Sequence, residues 1–245
     1  MRYRLGRFLV MQFGLSVLLV ATGASAIPVA ISSTFVTTPP TIDGTAGAAE
    51  WAGPVSYVFG HGDALFRNDA SNLYVLLDVT ADTTPDAGSP FDYFRLAFDV
   101  NHNGVEDPNV DVEYGLCNTV NDFTRSLFLG SCSTTGCGST TGSLAYGFGP
   151  TPASATSHTF WEIAIPLSEL GASLGSTLGV QLRAASITPS FTEDAPTSEC
   201  DFANYAALQL GGSVVTIPTL DRASLLLLAL FLAVGAGLLL RSRWS

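Results

Sequence analysis

Residues 93–99 read Tyr-Phe-Arg-Leu-Ala-Phe-Asp, and residues 160–165 read Phe-Trp-Glu-Ile-Ala-Ile. Large apolar side chains occupy every second position in both stretches, which predicts strands with one buried face. Residues 73–79 form a denser apolar run suited to a central strand, and residues 178–185 and 144–148 are shorter candidates. Because clusters of Gly, Pro, Ser and Thr separate these segments, the sequence predicts an all-β fold, specifically a β-sandwich.

The N-terminal segment, residues 1–26, has a different composition. Three arginines lie in its first seven residues, an apolar stretch follows over residues 8–20, and Ala24-Ser25-Ala26 ends it. This is the pattern of a secretory signal peptide, with cleavage before Ile27. An uncleaved membrane anchor is the alternative.

The C-terminal segment, residues 217–245, contains an uncharged apolar run at residues 223–240, followed by Arg241 and Arg243. At ~1.5 Å per residue the run can span a bilayer as a transmembrane helix. The arginines after it favour the cytoplasmic side. The run is preceded by the motif Ile217, Pro218, Thr219 and Leu220.

The motif, the apolar run and the basic end together resemble an IPTL-type C-terminal sorting signal. Such tails are handled by exosortases, membrane proteases of Gram-negative bacteria. The resemblance implies an exosortase-type partner, an inner-membrane intermediate held by the helix, and a final place at the cell surface or in the extracellular matrix. One departure is that Asp221-Arg222 follows the motif where the family usually has Trp-Gly. A plain membrane anchor is the alternative.

Between the two terminal segments lies the ectodomain, residues 27–216, which is long enough for one sizeable β-sandwich. It holds 20 Asp and Glu against 4 Arg, a net charge of −16, and the whole chain has no Lys. Such a surface repels nucleic acid, whose binding depends on Lys and Arg at the phosphates. It suits cations and keeps an exported protein soluble.

All four cysteines lie in the ectodomain, at positions Cys117, Cys132, Cys137 and Cys200. Because an exported chain meets an oxidising compartment, two disulfides are expected, and the sequence leaves all three pairings open. The short spacing of Cys132 and Cys137 is compatible with a small closed loop. A metal site made of cysteines is the rival interpretation, although no histidine stands near them at ligand spacing.

Residues 99–107 carry the sharpest motif, because oxygen-bearing side chains recur at alternate positions and can turn toward one hard cation. Gly104 allows the bend, and Glu113 is a further candidate ligand. The twelve-residue EF-hand pattern fails, since its last position would be Val110. We therefore expect a shorter structural calcium loop, and a polar turn built on Asn103-Gly104 is the alternative. The candidate ligands are Asp99, Asn101, Asn103, the carbonyl of Val105, Asp107 and Asp111.

Several ectodomain segments, in order, resemble the family 9 carbohydrate-binding module. They are Ile42-Asp43-Gly44 with Ala49-Glu50-Trp51, Asp69 with Leu73-Tyr74-Val75, Phe98-Asp99, and the run from Phe160-Trp161-Glu162 to Ser168-Glu169-Leu170. The resemblance spans most of the ectodomain. It implies a carbohydrate-binding-module-like β-sandwich, calcium and a polysaccharide partner.

Sugar rings stack on exposed aromatic faces, so the aromatic side chains are the candidates for a glycan site. Trp51 and Trp161 lie in segments that look structural and are expected in the core. The candidate platforms are Tyr57, Phe59, Tyr93 and Tyr114.

The sequence has no nucleophile elbow, zinc signature or phosphate-binding glycine loop, which favours a noncatalytic protein. We expect a calcium-stabilised sandwich that binds carbohydrate or extracellular matrix. A structural or adhesive surface protein without a glycan site is the alternative. A buried pair of carboxylates in a cleft would favour an enzyme instead.

Overall fold

A computed structural model describes residues 29–212 of the chain. These residues form fourteen strands and one 3-10 turn at Phe202–Asn204. The strands are β1 Ala30–Ser32, β2 Thr34–Phe35, β3 Tyr57–Phe59, β4 Gly62–Asn68, β5 Asn72–Val79, β6 Tyr93–Asp99, β7 Val112–Leu116, β8 Phe123–Gly130, β9 Ser133–Thr134, β10 Ser143–Gly149, β11 His158–Pro166, β12 Thr177–Ser186, β13 Phe191–Ala195 and β14 Ala206–Gln209.

Within this part of the chain the strands form two sheets. The larger sheet has the order β1-β14-β12-β6-β7-β8-β9, with β13 also paired to β12. The smaller sheet has the order β10-β11-β5-β4-β2, with β3 also paired to β4. The first pair of strands, β1 and β2, adds in parallel to β14 and β4, so residues 30–35 join both sheets.

The core lies between the two sheets, as the alternating pattern predicts. Phe94, Leu96 and Phe98 of β6 are fully buried there. From the opposite sheet, Trp161 of β11 packs against Phe94 with ring centroids 5.3 Å apart. The all-β, sandwich-like arrangement predicted from the sequence is confirmed for the described residues.

The outer faces of the two sheets are only partly covered. On the smaller sheet, fully buried Trp51 packs with Tyr74 and Phe160. On the larger sheet, Phe202 and Tyr205 cover Ala97 and Phe128. Strand β6 connects to its chain neighbours through residues 80–92 and 100–111.

The predicted signal peptide (1–26), the sorting motif (217–220) and the apolar run (223–240) lie outside the described residues. No helix within residues 29–212 is long and apolar enough to cross a membrane.

Candidate functional site

The β6–β7 connection folds its polar side chains inward. Asp99, which is fully buried, accepts the backbone N–H of Asn103 through Oδ1 at 3.2 Å and that of Gly104 through Oδ2 at 2.8 Å. Gly104 has φ +78°, a left-handed conformation that glycine adopts without a Cβ penalty. The expected bend at Gly104 therefore brings backbone N–H groups onto the first carboxylate of the motif.

The last of the candidate ligands, Asp111, follows the motif and lies against the same loop. Asp111 is fully buried and accepts the N–H of Val100 at 2.9 Å and that of Asp107 at 2.7 Å. Burial raises the pKa of Asp111, the two N–H donors lower it, and the charges of Asp99 and Asp107 raise it again. A buried carboxylate beside two others gains most from a neighbouring positive charge.

Asp107 connects the two asparagines of the motif. Its Oδ2 accepts the side-chain N–H groups of Asn101 and Asn103, each at 2.7 Å. Rotation of either amide by 180° would present its oxygen in place of its nitrogen. The same three side chains can thus hold each other or offer oxygens to a cation.

Two neighbouring acidic residues do not point into this loop. Glu106 accepts the N–H groups of Gly130 and Cys132, each at 2.8 Å, and so holds the β8–β9 turn. Glu113, the further candidate ligand, instead lies on the outer face of β7 beside Arg95, 3.6 Å from its guanidinium.

The structure therefore joins the five candidate side chains Asp99, Asn101, Asn103, Asp107 and Asp111 by hydrogen bonds within one loop. Val105 is 56% exposed, and its N–H bonds to Asn103 at 2.9 Å. Between residues 29 and 212, no three Asp, Glu, His or Cys side chains converge on one point at metal-binding distance. Calcium binding by this loop stays a prediction. The alternative, a polar turn built on Asn103-Gly104, is equally consistent with these hydrogen bonds.

An open cleft of about 340 Å³ lies on the outer face of the larger sheet. Its lining is mostly apolar: Pro90, Phe91, Tyr93, Arg95, Leu116, Cys117 and Ile187. Tyr93 and Arg95 face outward because Phe94 and Leu96, which alternate with them along the strand, face the core. Of the four candidate platforms, Tyr93 alone lines this cleft, since Phe59 and Tyr114 are buried and Tyr57 packs against the core.

A smaller polar pocket of about 90 Å³ continues the cleft across β7 and β8. It shares Arg95 and Leu116 with the apolar part, and the Cys117–Cys137 disulfide borders both. Its other lining residues are Glu113, Gly115, Thr124, Ser126, Thr134 and Gly136. A Cβ on Gly115 would lie only 3.0 Å from the carbonyl oxygen of Phe94, so glycine leaves this floor open.

Two arginines and three carboxylates line up beside the cleft. Strand pairing sets Arg183 of β12 opposite Arg95 of β6. Glu199 lies 3.2 Å from Arg95 and 3.0 Å from Arg183, and Asp194 bonds Arg183 at 2.6 and 2.9 Å.

Glu113 is the buried member of this group. Its pKa is raised to about 8: burial raises it most, a hydrogen bond to Glu199 and the charge of Glu199 also raise it, and the charges of Arg95 and Arg183 lower it. Its Oε2 atom is buried without a hydrogen-bond partner, 3.6 Å from the guanidinium of Arg95. Glu113 is also one of the residues that line the polar pocket.

Several residues in the segments that resemble the carbohydrate-binding module are buried and stabilise the fold through hydrogen bonds and packing. Glu162 accepts the N–H groups of Asp43 (3.1 Å) and Gly44 (2.8 Å) and the indole N–H of Trp51 (2.7 Å). Trp51 and Trp161 are 0% and 1% exposed, so the prediction that they belong to the core is confirmed.

The structure settles the cysteine pairing as Cys117–Cys137 and Cys132–Cys200. The small loop between Cys132 and Cys137 is therefore not formed. The rival metal site made of cysteines is wrong, because all four sulfur atoms are bonded.

No protein-family model matches the chain. No curated protein matches it either. Among solved structures, the chain is similar to a family 9 carbohydrate-binding module from Caldicellulosiruptor kristjanssonii in complex with glucose, with 16% sequence identity and a TM-score of 0.45. The similarity covers 77% of this chain and 99% of that module.

Proposed function

We propose that this chain is an exported, noncatalytic surface protein whose β-sandwich binds carbohydrate in the cleft beside β6. The observation that carries the proposal is the cleft's composition. An apolar wall with Tyr93 and Phe91 adjoins a polar pocket that holds Arg95 and Glu113. Sugar rings need both surfaces, because their C–H faces pack on aromatic rings while their hydroxyls need hydrogen-bond partners.

The charges of the site favour a neutral glycan. Arg95 and Arg183 face three carboxylates, and Glu113, whose pKa is about 8, keeps its proton at neutral pH. Positive and negative charges then nearly cancel. An anionic sugar would meet arginines that already have carboxylate partners.

Calcium in the 99–111 loop belongs to the same proposal. Asp99 ends β6 and Asp111 directly precedes β7; both carboxylates are fully buried, and Asp107 donates its backbone N–H to Asp111. A bound cation would neutralise them and fix the loop. Export and surface sorting are proposed from the two terminal segments of the sequence.

The buried pair Glu113 and Glu199 raises the question of an enzyme. Glycoside hydrolysis needs two carboxyl groups about 5–9.5 Å apart, so that the scissile bond fits between them. Here the two carboxyl groups are close enough to share a hydrogen bond, and both face arginines. The arrangement supports binding of hydroxyl groups rather than hydrolysis.

A glycan-array screen tests the proposal, using the full-length protein purified in detergent, with calcium and with chelator. We expect saturable binding to neutral glycans, weakened at least tenfold by Tyr93→Ala. Phe148→Ala is the matched control, because Phe148 is a 37% exposed aromatic on β10 of the other sheet. Release of reducing sugar by the wild type would support an enzyme. No binding by folded protein would support the structural or adhesive alternative.

A further inference from the structure

The β5–β6 connection contains a second group of acidic residues, Asp82, Asp86 and Asp92, outside the 99–111 loop. Asp82 and Asp92 are both 0% exposed. The Oδ2 atom of each is buried without a hydrogen-bond partner. Two buried, unpartnered carboxylate oxygens in one loop are costly unless a cation or a proton joins them.

Thr84 places a hydroxyl between the carboxylates of Asp82 and Asp86. The hydroxyl of Thr84 lies 3.4 Å from Asp82 Oδ1 and 3.3 Å from Asp86 Oδ2, and it donates to the carbonyl of Thr188. Calcium–oxygen bonds of about 2.3–2.6 Å place adjacent ligands of an octahedral shell roughly 3.3–3.7 Å apart. The oxygens of Asp82 and Asp86 lie near that separation from the Thr84 hydroxyl, while the carbonyl of Thr188 is in direct hydrogen-bond contact with it and would have to move apart to share a cation.

Among residues 29–212, no arginine or histidine forms an ion pair with this group of Asp82, Asp86 and Asp92. The ring of His158 bonds to Asp78 and to the carbonyl of Thr156. Burial lowers the pKa of His158, but its hydrogen bonds and the charges of Asp78 and Asp82 raise it overall, so His158 offsets part of the negative charge from outside the group.

The pKa of Asp92 reflects this surplus of negative charge. The net value is about 7: burial raises the pKa most, the N–H of Ile187 lowers it, and the charge of Asp82, a hydrogen bond to Asp82 and the charge of Asp86 raise it. Asp92 therefore resists ionisation in the absence of a neutralising cation.

We propose that the β5–β6 connection binds a calcium ion through the carboxylates of Asp82 and Asp92, the hydroxyl of Thr84 and the carbonyl of Thr188. Asp86, on the far side of Thr84, joins the shell through water. This site is separate from the 99–111 loop, and it contains a mixed set of carboxylate, hydroxyl and carbonyl oxygens that a hard divalent cation prefers.

The ion would also hold the wall of the carbohydrate cleft, an effect that depends on the proposed function. Asp92 follows Pro90 and Phe91 directly, and its Oδ1 accepts the N–H of Ile187 at 2.9 Å. Pro90, Phe91 and Ile187 all line the apolar part of the cleft. Calcium between Asp92 and Thr188 thus joins the two segments that form this wall.

Calcium stoichiometry tests the site directly. The full-length protein, stripped with chelator and desalted at pH 7.5, is titrated with calcium chloride in a calorimeter. We expect two ions for the wild type, one for Asp92→Asn and one for Asp107→Asn. Asp122→Asn, which removes the same charge from the β7–β8 turn, keeps two.

Each other pattern of stoichiometry has a defined meaning. If Asp92→Asn and Asp82→Asn bind calcium with wild-type stoichiometry and affinity, the proposal is overturned and a shared proton explains the pair. One wild-type ion that is lost in Asp107→Asn and kept in Asp92→Asn also overturns it. If the wild type binds one ion that is lost in Asp92→Asn and kept in Asp107→Asn, the result supports the site in the β5–β6 connection. The same result excludes the 99–111 loop as a calcium site.

Thermal unfolding separates loss of the ion from loss of the fold. In chelator at pH 8, Asp92→Asn should melt no lower than the wild type, because the amide keeps the bond from Ile187 and carries no charge. Calcium should then raise the melting temperature of the wild type more than that of the variant. An equal rise in both proteins would overturn the proposal.

The glycan array then separates this inference from the proposed function. If the wild type binds a glycan, Asp92→Asn should bind it at least tenfold more weakly in calcium. A wild type that binds two ions and no glycan leaves the calcium site standing and refutes the glycan site.

Discussion

The charge of the cleft predicts that Glu113→Gln stabilises the protein at high pH. The pKa of Glu113 is about 8 in the folded protein, against an ordinary 4.5, because the side chain is buried beside Glu199. The folded state therefore holds a proton that the unfolded chain loses above about pH 4.5. The associated stability is fully present below that pH and is lost as pH rises through about 8.

The difference between the two pKa values sets an upper limit of about 5 kcal/mol. The proton belongs to the coupled pair Glu113 and Glu199 rather than to one residue, so we expect about 2–4 kcal/mol. In Glu113→Gln the amide can donate to Glu199 at every pH. The variant should match the wild type near pH 5 and exceed its free energy of unfolding by this amount at pH 9.

Urea unfolding in saturating calcium at pH 5, 7 and 9 measures the effect, with Asp122→Asn as the control for loss of a surface charge. A difference between Glu113→Gln and wild type that does not change with pH would refute the reasoning. So would a variant that is less stable than the wild type at pH 9.

Two further predictions concern interactions that stabilise the fold, namely the hydrogen bonds of Glu162 and the Cys132–Cys200 disulfide. Glu162→Ala leaves the indole N–H of buried Trp51 and two backbone N–H groups without their acceptor, so it should lower the free energy of unfolding by about 3 kcal/mol or more. Faster proteolysis between residues 36 and 51 would locate the effect, and unchanged proteolysis would contradict it. Replacing Cys132 and Cys200 together by Ser removes a disulfide whose cysteines are 68 residues apart in sequence. The loop-entropy model predicts that this lowers the free energy of unfolding by about 4 kcal/mol. Urea unfolding of the double variant should show most of that loss, and a loss below about 1 kcal/mol would contradict the estimate.

The strands that could be predicted are those whose burial follows a simple pattern. Strand β6 alternates cleanly, and its inward side chains are all buried. Strand β4 was not predicted, because Asp63, Arg67 and Asn68 interrupt its apolar residues. The structure buries Arg67 against the carbonyl of Ala52 and over the ring of Trp51, partners remote from a local pattern.

The two candidate sites also differ in how far apart their residues lie in the sequence. The 99–111 loop could be proposed from sequence because its candidate ligands are close together along the chain. The cleft could not, because it depends on strand register and on a distant loop. Arg95 meets Arg183 through the pairing of β6 with β12, and Glu199 reaches both from beyond β13. A single sequence contains no signal for these contacts.

The position of β6 links the two proposed calcium ions to the cleft. Asp92 immediately precedes the strand and Asp99 ends it, while Tyr93 and Arg95 between them face the cleft. A cation at each end would fix the direction of the strand that presents both side chains. Part of the chain's negative charge would then serve to position a binding surface, beyond keeping the protein soluble. Because both ions act on one strand, we expect Asp92→Asn and Asp107→Asn together to weaken glycan binding more than the product of their separate effects.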